Sequence, residues 1–214
     1  MATRRFSLID HLIGRLDLSL RTVIGPTPIS SRANPAESIS DAEMTATERE
    51  LAGRLLRVDH TGEICAQALY QGQALTARLS AVRDKMEQAA TEENDHLAWT
   101  AGRLAELGTQ KSRLNPLFYA GSFAIGALAG IAGDKWSLGF VAETERQVVR
   151  HLDSHLGRLP GPDAKSRVIL EQMKEDEDRH ATVAIESGGA PLPDPVKRVM
   201  KLMAKTMTAT TYWI

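Results

Sequence analysis

The sequence predicts an all-α fold built on a four-helix bundle. Long segments repeat apolar residues at spacings of three and four, the signature of one helix face. Ala, Leu, Glu, Arg and Met are plentiful while alternating β-branched runs are scarce, a balance that favours helix over strand. Glycine and proline cluster between those segments, as in LPGPD at 159–163, where they end helices rather than interrupt them.

At the N-terminus Phe6, Ile9, Ile13, Leu16, Leu20 and Val23 form an amphipathic helical stripe accompanied by Arg4, Arg5, Arg15 and Arg21. Asp10, Arg15 and Asp17 interrupt every apolar stretch, so the segment does not read as a secretory signal. A Pro/Ser linker, GPTPISSRANPA, follows at 25–36. Residues 1–44 therefore read as an N-terminal amphipathic helix and linker, and 45–214 as the bundle domain. The first bundle helix is expected over 47–77 and the second over 80–107, stopped by Gly108. The third spans 134–156, and the fourth spans 164–186, before Gly188 and Gly189. PLPDP at 191–195 precedes a last, basic helix.

Charge and cysteine content exclude some functions. With 26 basic and 27 acidic residues, the molecule has no net attraction to nucleic acid. Cys65 is the one cysteine, so neither an intramolecular disulfide nor a cysteine zinc cluster can form, which fits a reducing compartment.

Two segments carry chemistry. Glu93-Asn94-Asp95-His96 and Glu177-Asp178-Arg179-His180 are both Glu-x-x-His, and residues three apart share a helix face. One such match is ordinarily a solvated face; two, each opposed by a carboxylate, are the pattern of a ferritin-like bundle. Glu63 and Glu93 are equidistant from residue 78, in the first expected turn. Glu145 and Glu177 are equidistant from Gly161, in the second. Each hairpin thus sets a carboxylate level with a Glu-x-x-His, ~22 Å from its turn at ~1.5 Å per residue. Glu145 is preferred to Glu143 because Leu138, Val141, Ala142, Val148, Val149 and Leu152 share its face, whereas Arg146, Gln147 and Arg150 surround Glu143. Glu92, Asp95, Glu175, Asp176 and Asp178 read as solvated. Oxygen-rich ligation with two imidazoles suits iron or manganese better than zinc or copper.

Other residues lie near this level. His60 is one turn before Glu63 and, with Asp59, is a candidate to orient a ligand. Tyr70 lies two turns beyond Glu63 and either lines the cavity or belongs to the core. His151 is roughly 240° round its helix from Glu145, too far for direct ligation of the same metal. With His155, four residues on, it has the spacing of a separate site.

The segments RVDHTGEICAQALYQGQ (57–73), TEENDHLAW (91–99), VAETERQVVRHLDSHL (141–156) and MKEDEDRHA (173–181) resemble the di-iron demethoxyubiquinone hydroxylase family of ubiquinone biosynthesis. The resemblance implies two iron ions held by Glu63, Glu93, His96, Glu145, Glu177 and His180, the residues that spacing selects. It implies dioxygen as co-substrate, an external reductant, and hydroxylation of a polyprenyl methoxy-benzoquinol ring. His151 matches a histidine near the family's centre; Leu152 stands where a tyrosine is looked for, so no tyrosine role carries over there. Other ubiquinone-biosynthesis proteins are implied partners. Ferritin-like iron storage and a rubrerythrin-like peroxidase are the alternatives. The first fits poorly with an apolar 20-mer, the second with a single cysteine.

That 20-mer, LNPLFYAGSFAIGALAGIAG at 114–133, has no charge and is long enough to span a bilayer. Pro116 and the glycines favour a segment that lies on or dips into the membrane over a span or a buried crossover. Val196, Val199, Met200, Met203 and Met207 form a stripe beside Lys197, Arg198, Lys201 and Lys205, with Tyr212 and Trp213 following, the pattern of an interfacial helix. The full expectation is a ferritin-like four-helix bundle with an added apolar crossover segment and a C-terminal interfacial helix. It would sit peripherally on the cytoplasmic face of a bacterial inner membrane, or alternatively on the matrix face of a mitochondrial one.

Overall fold

Six helices, and no strand, make up the described residues of the computed structural model, which are Asp17, Thr22, Gly25, 27–40 and 42–214. The expected stripe from Phe6 to Val23 lies outside them. Helix α1 spans Ala46–Thr76, α2 Ser80–Glu106, α3 Asn115–Ala132, α4 Asp134–Leu156, α5 Ala164–Glu186 and α6 Asp194–Thr211. Local chemistry sets several ends. Thr45 and Glu48 close a capping box that satisfies otherwise orphaned N–H groups at the start of α1. Asp163 caps α5 by accepting from Ser166 N. Gly133, between α3 and α4, sits at φ 113°, a conformation that a side chain would strain.

The bundle proper is α1, α2, α4 and α5. Contacts fix its directions. His60 meets Thr100 and Gln67 meets Asn94, so α2 runs antiparallel to α1. Gln73 meets Ser137 and Asp59 meets His155, so α4 also runs antiparallel to α1. Helices α2 and α4 are therefore parallel, and the chain must return between them. Helix α3 makes that return: Thr61 bonds Asn115 near one end, and Thr76 bonds the Ala127 carbonyl near the other. This is the long crossover of ferritin-like folds.

Small residues let α3 lie close on α1. A Cβ on Gly126 would fall 2.2 Å from the Leu69 carbonyl oxygen, and one on Gly72 would fall 2.3 Å from that of Phe123. Asn115, Tyr119, Gly126 and Gly130 form the buried stripe. The opposite face leaves Leu117, Leu128 and Ile131 more than half exposed. The glycines thus form the contact surface of a helix laid along the bundle. Helix α6 lies against α1 and α4; Arg57 bonds the Tyr212 carbonyl, and the Arg54 guanidinium stacks 4.3 Å from the Trp213 ring.

Two apolar clusters fill the bundle. One contains Leu55, Leu56, Leu104, Leu152, Ile169, Leu170 and Met173. The other contains Tyr70, Ala74, Val82, Met86, Leu138, Val141 and Ala142. Along each helix, the Glu and His residues selected from spacing fall between the two clusters.

Candidate metal centre

Each bundle helix brings a glutamate to this middle layer. Glu63 (α1), Glu93 (α2), Glu145 (α4) and Glu177 (α5) are at most 2% exposed. Buried ionised carboxylates are costly without compensating positive charge. Ligand atoms of Glu63, Glu93, His96 and Glu177 all lie within 4.8 Å of one another, as metal ligands would. His96 Nδ1 is 3.3 Å from Glu63, 3.1 Å from Glu93 and 3.1 Å from Glu177. His180 Nδ1 is 3.1 Å from Glu177 and 3.6 Å from Glu93. Glu145 on α4, like His180, stands outside that four-residue set; the charges of Glu177 and Glu93 act on it, and it accepts a 2.5 Å hydrogen bond from the Tyr70 hydroxyl. The Oε2 of Glu145, like Oε1 of Glu93, is buried with no hydrogen-bond partner among the described residues.

Electrostatics reports the same demand for cations. Burial and the charges of neighbouring glutamates raise the Glu93 and Glu145 carboxyls well above their ordinary range. Burial opposes protonation of His180, yet its bond to Glu177 and the surrounding carboxylates carry it up to about 10. His96 is likewise raised, against its burial, by Asp176, Glu177, Glu63 and Glu93. Without metal, protons supply the positive charge that the layer requires. The donor set, four carboxylates and two imidazoles with unpartnered oxygens, fits divalent iron or manganese.

The outer ring nitrogens are also held. His96 Nε2 bonds Asp176 at 3.0 Å, and His180 Nε2 bonds Glu92 at 2.8 Å, fixing both rings with Nδ1 toward the carboxylates. These partners correct the expectation that Glu92, Asp95 and Asp176 are solvated: Asp95 and Asp176 are buried and Glu92 is half-buried. Glu175 and Asp178 are exposed as expected. The Pro/Ser linker closes the outside of this region. Ser31 N donates to Asp95 at 2.6 Å, and Arg32 reaches Asp95 at 2.7 Å and Asp176 at 2.8 Å. The Arg32 guanidinium also lies 4.8 Å from the Trp99 ring centroid. No helical periodicity marks Arg32, and Asp176 already meets Arg179 of its own helix at 3.0 Å, so the sequence carries no signal for this contact.

The remaining candidates separate. His60 Nδ1 pairs with Thr100 Oγ1 at 2.9 Å rather than with any of the six. Burial and nearby Lys111 lower its pKa to about 3, so it is neutral. Glu143 faces away from the layer, bonded to Gln147 and Arg150. His151 lies with His155 around Asp59, and its pKa is depressed to about 4, chiefly by burial.

Fold and layer together define a class: ferritin-like bundles whose facing helices present carboxylates and imidazoles able to hold metal. Residues 50–211 match the family described as "Ubiquinone biosynthesis protein COQ7", and the chain belongs to that family. Similar relatives include the 3-demethoxyubiquinol 3-hydroxylase of Nitrosococcus oceani, 58% identical over 214 residues and covering 100% of both chains. The relative of the same name from Chromobacterium violaceum is 56% identical over 96% of this chain and 99% of its own length. That from Cupriavidus metallidurans is 56% identical over 96% and 100%.

Proposed function

We propose that the chain hydroxylates the ring of a demethoxyubiquinol, a polyprenyl methoxy-benzoquinol, with two iron ions held by Glu63, Glu93, His96, Glu145, Glu177 and His180. The observation that carries this reading is the full-length similarity to relatives named for that hydroxylation, in a chain that buries these six donors in one layer. The ring C–H becomes C–OH. The second oxygen atom of dioxygen leaves as water, which consumes two electrons from an external reductant and two protons.

Iron bound in the layer supplies dioxygen activation and electron transfer. The protein's own residues do the rest. Asp176 and Glu92 hold His96 and His180 with Nδ1 inward. Tyr70 keeps its proton, since burial and the adjacent Glu145 charge raise its pKa well above normal, and it fixes one oxygen of Glu145. The apolar clusters on either side exclude water.

The greasy substrate calls for contact with a membrane. The outer face of α3 exposes Leu117, Leu128 and Ile131, and α6 exposes Val196, Val199, Leu202 and Met203 beside Lys201 and Lys205. These faces suit peripheral attachment to an anionic leaflet, the cytoplasmic face of a bacterial inner membrane. Helix α3 is long and apolar enough to cross a bilayer, but its interlock with α1 favours lying on the surface.

Single turnover tests the function. Reduced, iron-loaded protein mixed with a short-chain demethoxyubiquinol and dioxygen is expected to yield the ring-hydroxylated product. Glu145→Gln is expected to abolish it, while Glu143→Gln retains it. An iron-storage protein with the same donors would oxidise iron and leave the quinol unchanged.

A further inference from the structure

Next to the carboxylate layer, α1 and α4 bring together a second set of ligand-type side chains. Asp59 precedes Glu63 by one turn, about 6 Å along α1. His151 and His155 stand one turn apart on α4, facing Asp59. Asp59 Oδ1 is 2.8 Å from His155 Nδ1 and 3.5 Å from His151 Nε2. Asp59 and His155 are at most 2% exposed. Among the described residues, both Asp59 oxygens, His151 Nε2 and His155 Nδ1 are nevertheless without a hydrogen-bond partner, because the close approaches do not have hydrogen-bond alignment. Four buried polar atoms converging without satisfying one another are a costly arrangement unless something lies between them.

The spacing fits a cation. Ligand atoms of the three residues all lie within 4.8 Å of one another. Tetrahedral coordination with arms of about 2.0–2.1 Å places donors ~3.3 Å apart, close to the observed 2.8 and 3.5 Å. Two imidazoles and one carboxylate, without a thiolate, suit borderline divalent cations such as zinc or cobalt. The side chain of His151 is 29% exposed, so the site opens to solvent on one side. That leaves room for water as a further ligand.

We propose that Asp59, His151 and His155 form a mononuclear divalent-cation site, of zinc type, separate from the carboxylate-rich layer. A cation there ties α1 to α4 one turn from Glu63 and completes the coordination of all three side chains.

Zinc stoichiometry of the full chain, stripped of metal and dialysed against micromolar zinc, tests the site. His151→Ala is expected to bind one zinc fewer than wild type while keeping its helical circular dichroism. Glu177→Gln, which alters only the carboxylate layer, is expected to retain that zinc. Equal stoichiometry in wild type and His151→Ala overturns the proposal, whether or not the carboxylate layer holds iron. Should His151→Ala fail to fold, ¹¹³Cd NMR of the ¹⁵N-labelled wild type decides. A cadmium resonance coupled to the rings of both His151 and His155 is expected, and its absence overturns the site.

Discussion

Asp176 on α5 accepts a 3.0 Å hydrogen bond from Nε2 of His96 on α2, and the same Asp176 oxygen is 2.8 Å from Arg32. The ring is thereby held with Nδ1 toward Glu63, Glu93 and Glu177. Burial raises the Asp176 carboxyl, but its bonds to His96, Arg179 and Arg32 outweigh this and keep it ionised far below the usual carboxylate range. Removing that charge loosens the ring without removing a ligand. Asp176→Asn is expected to weaken iron binding about 10–100-fold, as losses of such outer partners do. Equilibrium iron titration measures it; Asp178→Asn, an exposed neighbour, is expected to leave affinity unchanged.

The contact of α3 with α1 predicts an asymmetry between glycines of one helix. Gly126→Leu forces a side chain into the Leu69 backbone and is expected to destabilise the protein by about 3 kcal/mol. Gly121 has nothing within 4 Å of an added Cβ, and Gly121→Ala is expected to be neutral or to stabilise by up to ~1 kcal/mol. Urea unfolding of both variants gives the comparison.

Attachment through α6 is tested on exposed positions whose substitution leaves the core intact. Val199 and Leu202 are 57% and 65% exposed. Val199→Glu with Leu202→Glu is expected to shift the protein from floated anionic liposomes to the aqueous fraction, with unchanged thermal stability. Flotation that survives the double substitution would place attachment elsewhere.

Acid sensitivity follows from His60. Its folded pKa is lowered from 6.5 to about 3, first by burial and then by Lys111. The unfolded chain therefore binds a proton that the folded chain refuses between those values. Stability from this group is complete above pH 6.5 and falls as pH falls toward 3. His151, lowered to about 4, acts in the same direction. In metal-free protein the raised carboxyls of Glu93 and Glu145 act in the opposite direction, so the His60 contribution is read as a difference between two proteins. From pH 6.5 to 5 the melting temperature of wild type is expected to fall relative to that of His60→Gln, which scanning calorimetry of both across that interval would detect.

Much of the bundle was legible because helix periodicity and turn chemistry are local. The third and fourth bundle helices have the expected ends, Asp134–Leu156 and Ala164–Glu186, and the first two differ by one residue. Counting back from the turns at 78 and 161 brings Glu63 level with Glu93, and Glu145 level with Glu177, because antiparallel helices rise equally. What stayed hidden depends on neighbours distant in sequence. Asp176 and Glu92 lie among charged residues of their own helices and look solvated; only the packing of α2 against α5 shows that each meets a histidine. Arg32 reaches Asp95 across 63 residues from a linker without periodicity. The glycines of α3 read as weakening a span, whereas their role becomes visible only against Leu69 and Gln73 of α1.

Ring hydroxylation by this chain with oxygen from dioxygen is open to an isotope measurement. Reduced, iron-loaded protein is mixed with a demethoxyubiquinol and ¹⁸O₂, and the quinone product is weighed by mass spectrometry. One ¹⁸O atom in the new ring hydroxyl is the result expected. An unlabelled ring, with the label in water alone and iron accumulating as a mineral, would mean that the chain stores iron and does not hydroxylate the quinol.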